Sequence, residues 1–122
     1  NDVYSECDIE LVPLSRGVIW TSFPSKCTLL MACGRTFLCM CEKESNFYNI
    51  VNSEKIGICV ERTDYKEAAN VIHRLKENKA EIVELASKAK EYGEAVYSST
   101  YNAYKYVDIV KELVEENRNV SV

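Results

Sequence analysis

The sequence predicts an α/β fold, a three-stranded parallel sheet with flanking helices that ends in two or three C-terminal helices. Three observations predict it. Residues 9–14, 37–41 and 56–60 are short apolar runs of strand length with little polar alternation, as in strands covered on both faces. Helical segments separate these runs, which is the order of βαβ units. After Val60 the apolar residues recur only at helical spacing, as far as Glu116.

In order along the chain, residues 1–7 are polar and lead into the first strand by a turn or helix end. Residues 15–22 form a loop of mixed character, in which Trp20, with Phe23 just after it, either closes the top of the core or stacks on a ligand. Pro24 fixes φ and lacks a donor, so it ends the loop. Ser25 follows as the cap of a mostly apolar helix over 26–33, with Leu29, Leu30 and Met31 inside it. Gly34 ends that helix in a left-handed turn, and the second strand follows. Amides left unpaired at the start of the helix, together with its dipole, make a place for phosphate.

Beyond the second strand, residues 42–45 form a polar loop and Ser45 caps a short helix over 46–51. Asp64 and Glu67 have the spacing of a capping box. The helix they open carries Ala68, Val71, Ile72 and Leu75 inward and runs out near Asn78, with His73 exposed. A second helix places Ile82, Val83, Leu85, Ala86 and Ala89 inward and ends around Gly93. A third, over about 100–116, shows Tyr104, Val107, Val110, Leu113 and Val114, with Tyr97, Tyr101 and Tyr106 nearby to pack it onto the domain or onto something absent. Residues 117–122 read as a frayed tail.

With 122 residues the chain is one domain by size. A net charge of −4 and no basic cluster argue against a nucleic-acid surface. No apolar run approaches the roughly 20 residues that span a bilayer, so no transmembrane segment is expected. The opening Asn1-Asp2-Val3 carries no signal-peptide pattern and no initiator methionine, which suggests a fragment of a longer protein. The six cysteines (Cys7, Cys27, Cys33, Cys39, Cys41, Cys59) sit in apolar runs with no paired Cys-x-x-Cys knuckle, and are expected to be buried free thiols in a reducing cytoplasm, with no metal.

The stretch from Phe23 to Thr36, with Pro24-Ser25-Lys26, an apolar helix, then Met31-Ala32-Cys33-Gly34-Arg35 and a strand, resembles the late part of the nucleotide-sugar domain of GT-B glycosyltransferases. It is most similar to the retaining group that builds bacterial capsules, lipopolysaccharides and exopolysaccharides, and the likeness extends from Asp8 to about Glu115. The resemblance implies that residues 1–122 are the second half of a Rossmann-like donor-binding domain, with the upstream half and the acceptor domain absent and residues 94–122 forming the C-terminal helix and tail. It implies a nucleoside-diphosphate sugar as donor substrate, no cofactor and no metal requirement. The acceptor it implies is a glycan or a lipid-linked acceptor, met through the missing domain. The location it implies is cytoplasmic, with the inner membrane face open to the full-length protein.

By position, the resemblance puts the amides of Ser25 and Lys26 at the distal phosphate, after Pro24, and Thr21 and Ser22 on the sugar side. Glu44, Ser45 and Asn46 fall in a second donor-contacting loop, and Arg16 lies close enough to swing in. Lys26 is the cation for the departing diphosphate, and so the catalytic candidate, through stabilisation of a leaving group. Two family glutamates are matched by Thr21 and Leu29, a family proline by Thr36 and a glycine pair by Ser45-Asn46. Leu29 cannot make the ribose contact of the glutamate it replaces. The expected function is therefore the donor site of a glycosyltransferase, inactive alone.

Two other classes fit the residues. One is a non-enzymatic α/β module that completes a split protein; the other is a nucleotide-binding or signalling domain of flavodoxin-like shape. The first strand, at the place where the preceding half would pair, is expected to be an apolar edge with Glu10 its one charge and Pro13 near its end. That edge, or the face of the last helix, is expected to make a two-fold homodimer or to pair with a complementary half.

Overall fold

The computed structural model describes residues 6–120, with side chains as far as Arg118. Strands β1 (Glu10–Pro13), β2 (Phe37–Cys41) and β3 (Ile58–Glu61) form one parallel sheet in that order, with β2 in the centre. The helices are α1 (Val18–Thr21), α2 (Ser25–Ala32), α3 (Asn46–Glu54), α4 (Tyr65–Glu77), α5 (Lys79–Tyr97) and α6 (Ser99–Val120). The expected architecture is present: an open parallel sheet, flanking helices and a long C-terminal helix.

All five residues of β2 are buried, and strand alternation deals them to two cores. Phe37, Cys39 and Cys41 face Val12, Cys59, Cys27, Leu30 and Met31 of α2, and Phe47 and Val51 of α3. Leu38 and Met40 face Val60, then Ala68, Val71 and Leu75 of α4 and Ile82 and Leu85 of α5. Helix α5 belongs to both cores, because further along its length Ala89 joins the first one and Gly93 is buried against Met31. Thr36, just before β2, is 1 % exposed and donates its hydroxyl to the Ile82 carbonyl at 2.8 Å, so it fastens the start of α5 to the sheet.

Several expected boundaries shift, each for a local reason. Residues 18–21 form the short helix α1 inside what reads as a loop, started by Gly17 at φ 82°. Ser25 is not the cap of α2 but its first residue. Pro24 occupies the cap, and its carbonyl accepts the Cys27 amide at 2.9 Å. Gly34 ends α2 at φ 61° as expected; its N–H goes to Met31 O and that of Arg35 to Leu30 O, both at 2.9 Å, which is a Schellman ending. Ser45 caps α3 through the Tyr48 amide and Asp64 caps α4 through the Glu67 amide, both as expected. Ile72 and Val83 were expected inward but are 45 % and 69 % exposed, because each lies one position off the buried stripe of its helix. Helix α5 does not end at Gly93 but continues to Tyr97. The glycine marks a close crossing, where an added Cβ would lie 3.1 Å from Met31 Cβ. Helix α6 runs on through residues 117–120, expected as tail. No helix among the described residues is long and apolar enough to cross a membrane.

The two edges of the sheet differ. Glu10 N–H and Leu14 N–H bond back toward β2, to Thr36 O and Met40 O at 3.0 Å, so the outward residues of β1 are Leu11 and Pro13. Pro13 has no N–H, which leaves Leu11 as the strand's outward donor. On β3 the outward residue Cys59 is bound twice by the Asn52 carboxamide, N–H to Oδ1 at 2.9 Å and Nδ2 to the carbonyl at 3.0 Å. Asn52 thus stands where a fourth strand would bond.

Candidate functional site

The loops after β1 and β2 lie side by side because the two strands are parallel neighbours. Ligands in open α/β sheets bind beyond the carboxyl ends of the strands, and these loops occupy that position. Between them lies a groove of about 510 Å³ lined by Ile19 to Phe23 from the first loop and by Ser45, Asn46, Phe47 and Ile50 from the second. Of the residues expected at the site, Thr21, Ser22, Ser45 and Asn46 therefore come together. Trp20, 57 % exposed, forms part of the wall, while Phe23 packs edge-on against Phe47 with ring centroids 5.0 Å apart and also touches Tyr97. Phe23, 46 % exposed, therefore rests on the core through Phe47 while also lining the groove, and Trp20 lies open on it.

The polar groups of the groove are partly occupied within the chain. The hydroxyls of Thr21 and Ser22 both donate to the Val18 carbonyl, at 3.2 and 3.4 Å. Ser45 is buried; it accepts from the Tyr48 amide and donates to the Glu42 carbonyl at 2.7 Å. Asn46 and Glu44 are exposed. Pro24 is buried, and Ser25, the first residue of α2, is exposed with its carbonyl accepting from Thr28 at 2.8 Å.

The charged residues expected at the site lie outside this groove. Lys26 Nζ is 3.1 Å from Glu10 Oε2, so its charge is paired with the start of β1. Arg16 is exposed in the loop before α1. It acts with Arg62 on Glu42, which sequence reasoning passed over as one of several loop charges. The Gly17 N–H, donating to Glu42 Oε1 at 2.7 Å, is the main cause that holds this carboxyl below the ordinary carboxylate range, with the Arg62 and Arg16 charges adding to it. Arg62 Nε lies 4.0 Å from the same oxygen, and Oε2 is shielded without a hydrogen-bond partner. Glu42 thus joins the loops that follow all three strands. Its position at the carboxyl end of the central strand is the sequence signal that could have found it.

Among the described residues one group has donors placed for a metal: Cys39, Cys41 and Cys59, with sulfurs within 4.8 Å of one another. Cys39 and Cys59 are direct partners across β2 and β3, and Cys41 is two residues along the same face. A shared hydrogen-bond network and burial keep the protons on. Cys41 is pushed up to about 12, chiefly by its bond with Cys39, and Cys59 is likewise pushed up by Cys39 and Cys41. A soft cation there would displace the thiol protons and balance the thiolate charges itself. Cys27 is also buried, whereas Cys7 is exposed and Cys33 half-buried, so the expectation of six buried thiols holds for four.

A second groove, of about 610 Å³, lies along β3 and is lined by Asn52, Cys59, Arg74 and Glu81 among others, with Arg74 and Glu81 paired at 3.2 Å. It contains none of the residues expected at the site. No known protein family, no curated protein and no solved structure matches this chain.

Proposed function

We propose that the chain forms the phosphate-and-sugar side of a nucleotide-sugar donor site and works as part of a larger glycosyltransferase. The observation that carries this reading is the groove itself. Two loops that are 24 residues apart, Thr21-Ser22 and Ser45-Asn46, meet at the carboxyl ends of neighbouring strands, as the resemblance of the Pro24-Ser25-Lys26 segment to retaining GT-B enzymes requires. Exposed Trp20 beside hydroxyl and amide groups suits a sugar or base, which has both an apolar face and a polar edge. The amides of Ser25 and Lys26 begin α2 and bring the positive end of its dipole to the same side. Lys26 would exchange Glu10 for the diphosphate as negative charge develops on the leaving group.

The test is titration with uridine diphosphate and its sugars, followed through backbone amide shifts. Movement of the Thr21, Ser22, Ser25, Lys26 and Asn46 signals is the expected result. Lys26→Ala should weaken binding by about 1–3 kcal/mol, the range for a charge-assisted contact. Glu10→Gln, which releases Lys26, should strengthen it. No response of these amides to the nucleotide would end the proposal, as would equal affinity in the wild type and both variants.

A further inference from the structure

We propose that α6 is the contact through which two copies of this chain form a parallel, two-fold dimer. Every residue from Ala103 to Arg118 is exposed, so beyond its first turn α6 rests on nothing else among the described residues. In proteins most of a helix's stability comes from packing an apolar face. That face exists. Tyr106, Val110 and Leu113 recur at heptad a and d positions with Ala103, and Val107 and Val114 widen the stripe at e. Asn117 continues the a positions, where a single Asn favours a parallel two-stranded register.

The surface area of the whole chain leaves room for a partner on this stripe. The chain exposes 8292 Å², whereas a monomeric protein of its mass exposes about 6,700 Å². The excess is larger than the ~800 Å² that each partner loses in a standard interface. The other obvious route to association is poorly equipped: β1 offers Leu11 as its outward donor, and β3 is bound at Cys59 by Asn52.

Charge selects the occupant and its direction. Along the second half of α6, one flank of the stripe carries Lys111 and Arg118 and the other carries Glu112 and Glu116. In a parallel pair related by a two-fold axis, the basic flank of each helix meets the acidic flank of its copy along both sides. In an antiparallel pair, basic would meet basic and acidic would meet acidic. The helix is therefore complementary to itself in one orientation.

The experiment is sedimentation equilibrium of the full chain across the micromolar range at low salt. A concentration-dependent dimer is expected. Val110→Glu should abolish it while leaving the amide spectrum of the sheet unchanged. Lys111→Glu combined with Arg118→Glu makes both flanks acidic and should weaken self-association roughly tenfold, through several ion pairs each of modest strength. Mixing that variant with Glu112→Lys/Glu116→Lys should restore it. A wild-type monomer throughout the range would overturn the proposal, as would a dimer indifferent to Val110→Glu. A dimer that tolerates the acidic-flank variant would overturn the parallel arrangement.

Discussion

Cys39, Cys41 and Cys59 share a face because strand alternation sends residues two apart to the same side and the register sets Cys39 opposite Cys59. The first half of that was legible in the Phe37-Leu38-Cys39-Met40-Cys41 run; the partner was not, since register is decided between strands. An exposed-thiol count with a bulky reagent should find Cys7 reacting at once and Cys33 more slowly, with Cys27, Cys39, Cys41 and Cys59 protected until denaturant releases all six. Rapid labelling of the four in the native protein would contradict this packing. These thiols also fix a sign for pH. Folding raises the Cys41 value from the ordinary thiol range to about 12, so its contribution is intact below that range and is lost as pH climbs toward 12. Urea midpoints should therefore fall between about pH 9 and 12, and fall less when Cys41 and Cys59 are both replaced by Val. Asn52, which the sequence does not distinguish from other helix-surface residues, closes the β3 edge. Asn52→Ala should cost about 1–3 kcal/mol by leaving the Cys59 amide and carbonyl without partners, as read by urea unfolding and by faster exchange of that amide.

At the scale of elements, the ends of helices were the most readable feature where a side chain or a glycine makes the ending. Ser45, Asp64 and Gly34 act as their residue types predict. Reading failed where the reason lay elsewhere in the chain. Gly93 has the composition of a stop signal, yet it continues α5, because what it provides is room for Met31. Ser25 has the composition of a cap, yet the Pro24 carbonyl leads into the helix in its place. Gly57 is a third case. It looks incidental in an apolar run, but an added Cβ would lie 2.6 Å from Phe37 Cζ, in a core where Phe37 is fully buried. Gly57→Ala should destabilise by about 1–3 kcal/mol, the cost of overpacking, measured by chemical denaturation. Thr36 shows the converse, a departure from the resembling pattern that the fold uses. Thr36→Val should lose the bond to Ile82 O and about 1 kcal/mol, with the loss visible as a lower midpoint.

For the molecule as a whole, the three strands and the helices between them could be read from the sequence, because apolar runs and breakers are local signals, while the meeting of the first two loops came only from the family resemblance. The Lys26–Glu10 pair and the joining of three loops by Glu42 could not, since both depend on which strands become neighbours. The same holds for α5, which contributes Ile82 and Leu85 to one side of the sheet and Ala89 and Gly93 to the other. That single crossing has a consequence for how the protein is made. All three strands have left the ribosome once Glu61 has emerged, yet one face lacks part of its cover until the chain has reached Leu85 and the other until it has reached Gly93. The cysteine-bearing face must therefore wait, half covered, while more than thirty further residues are synthesised. Nascent chains halted at Asn78 should remain open to protease, and those that present Tyr97 beyond the exit tunnel should become resistant in one step.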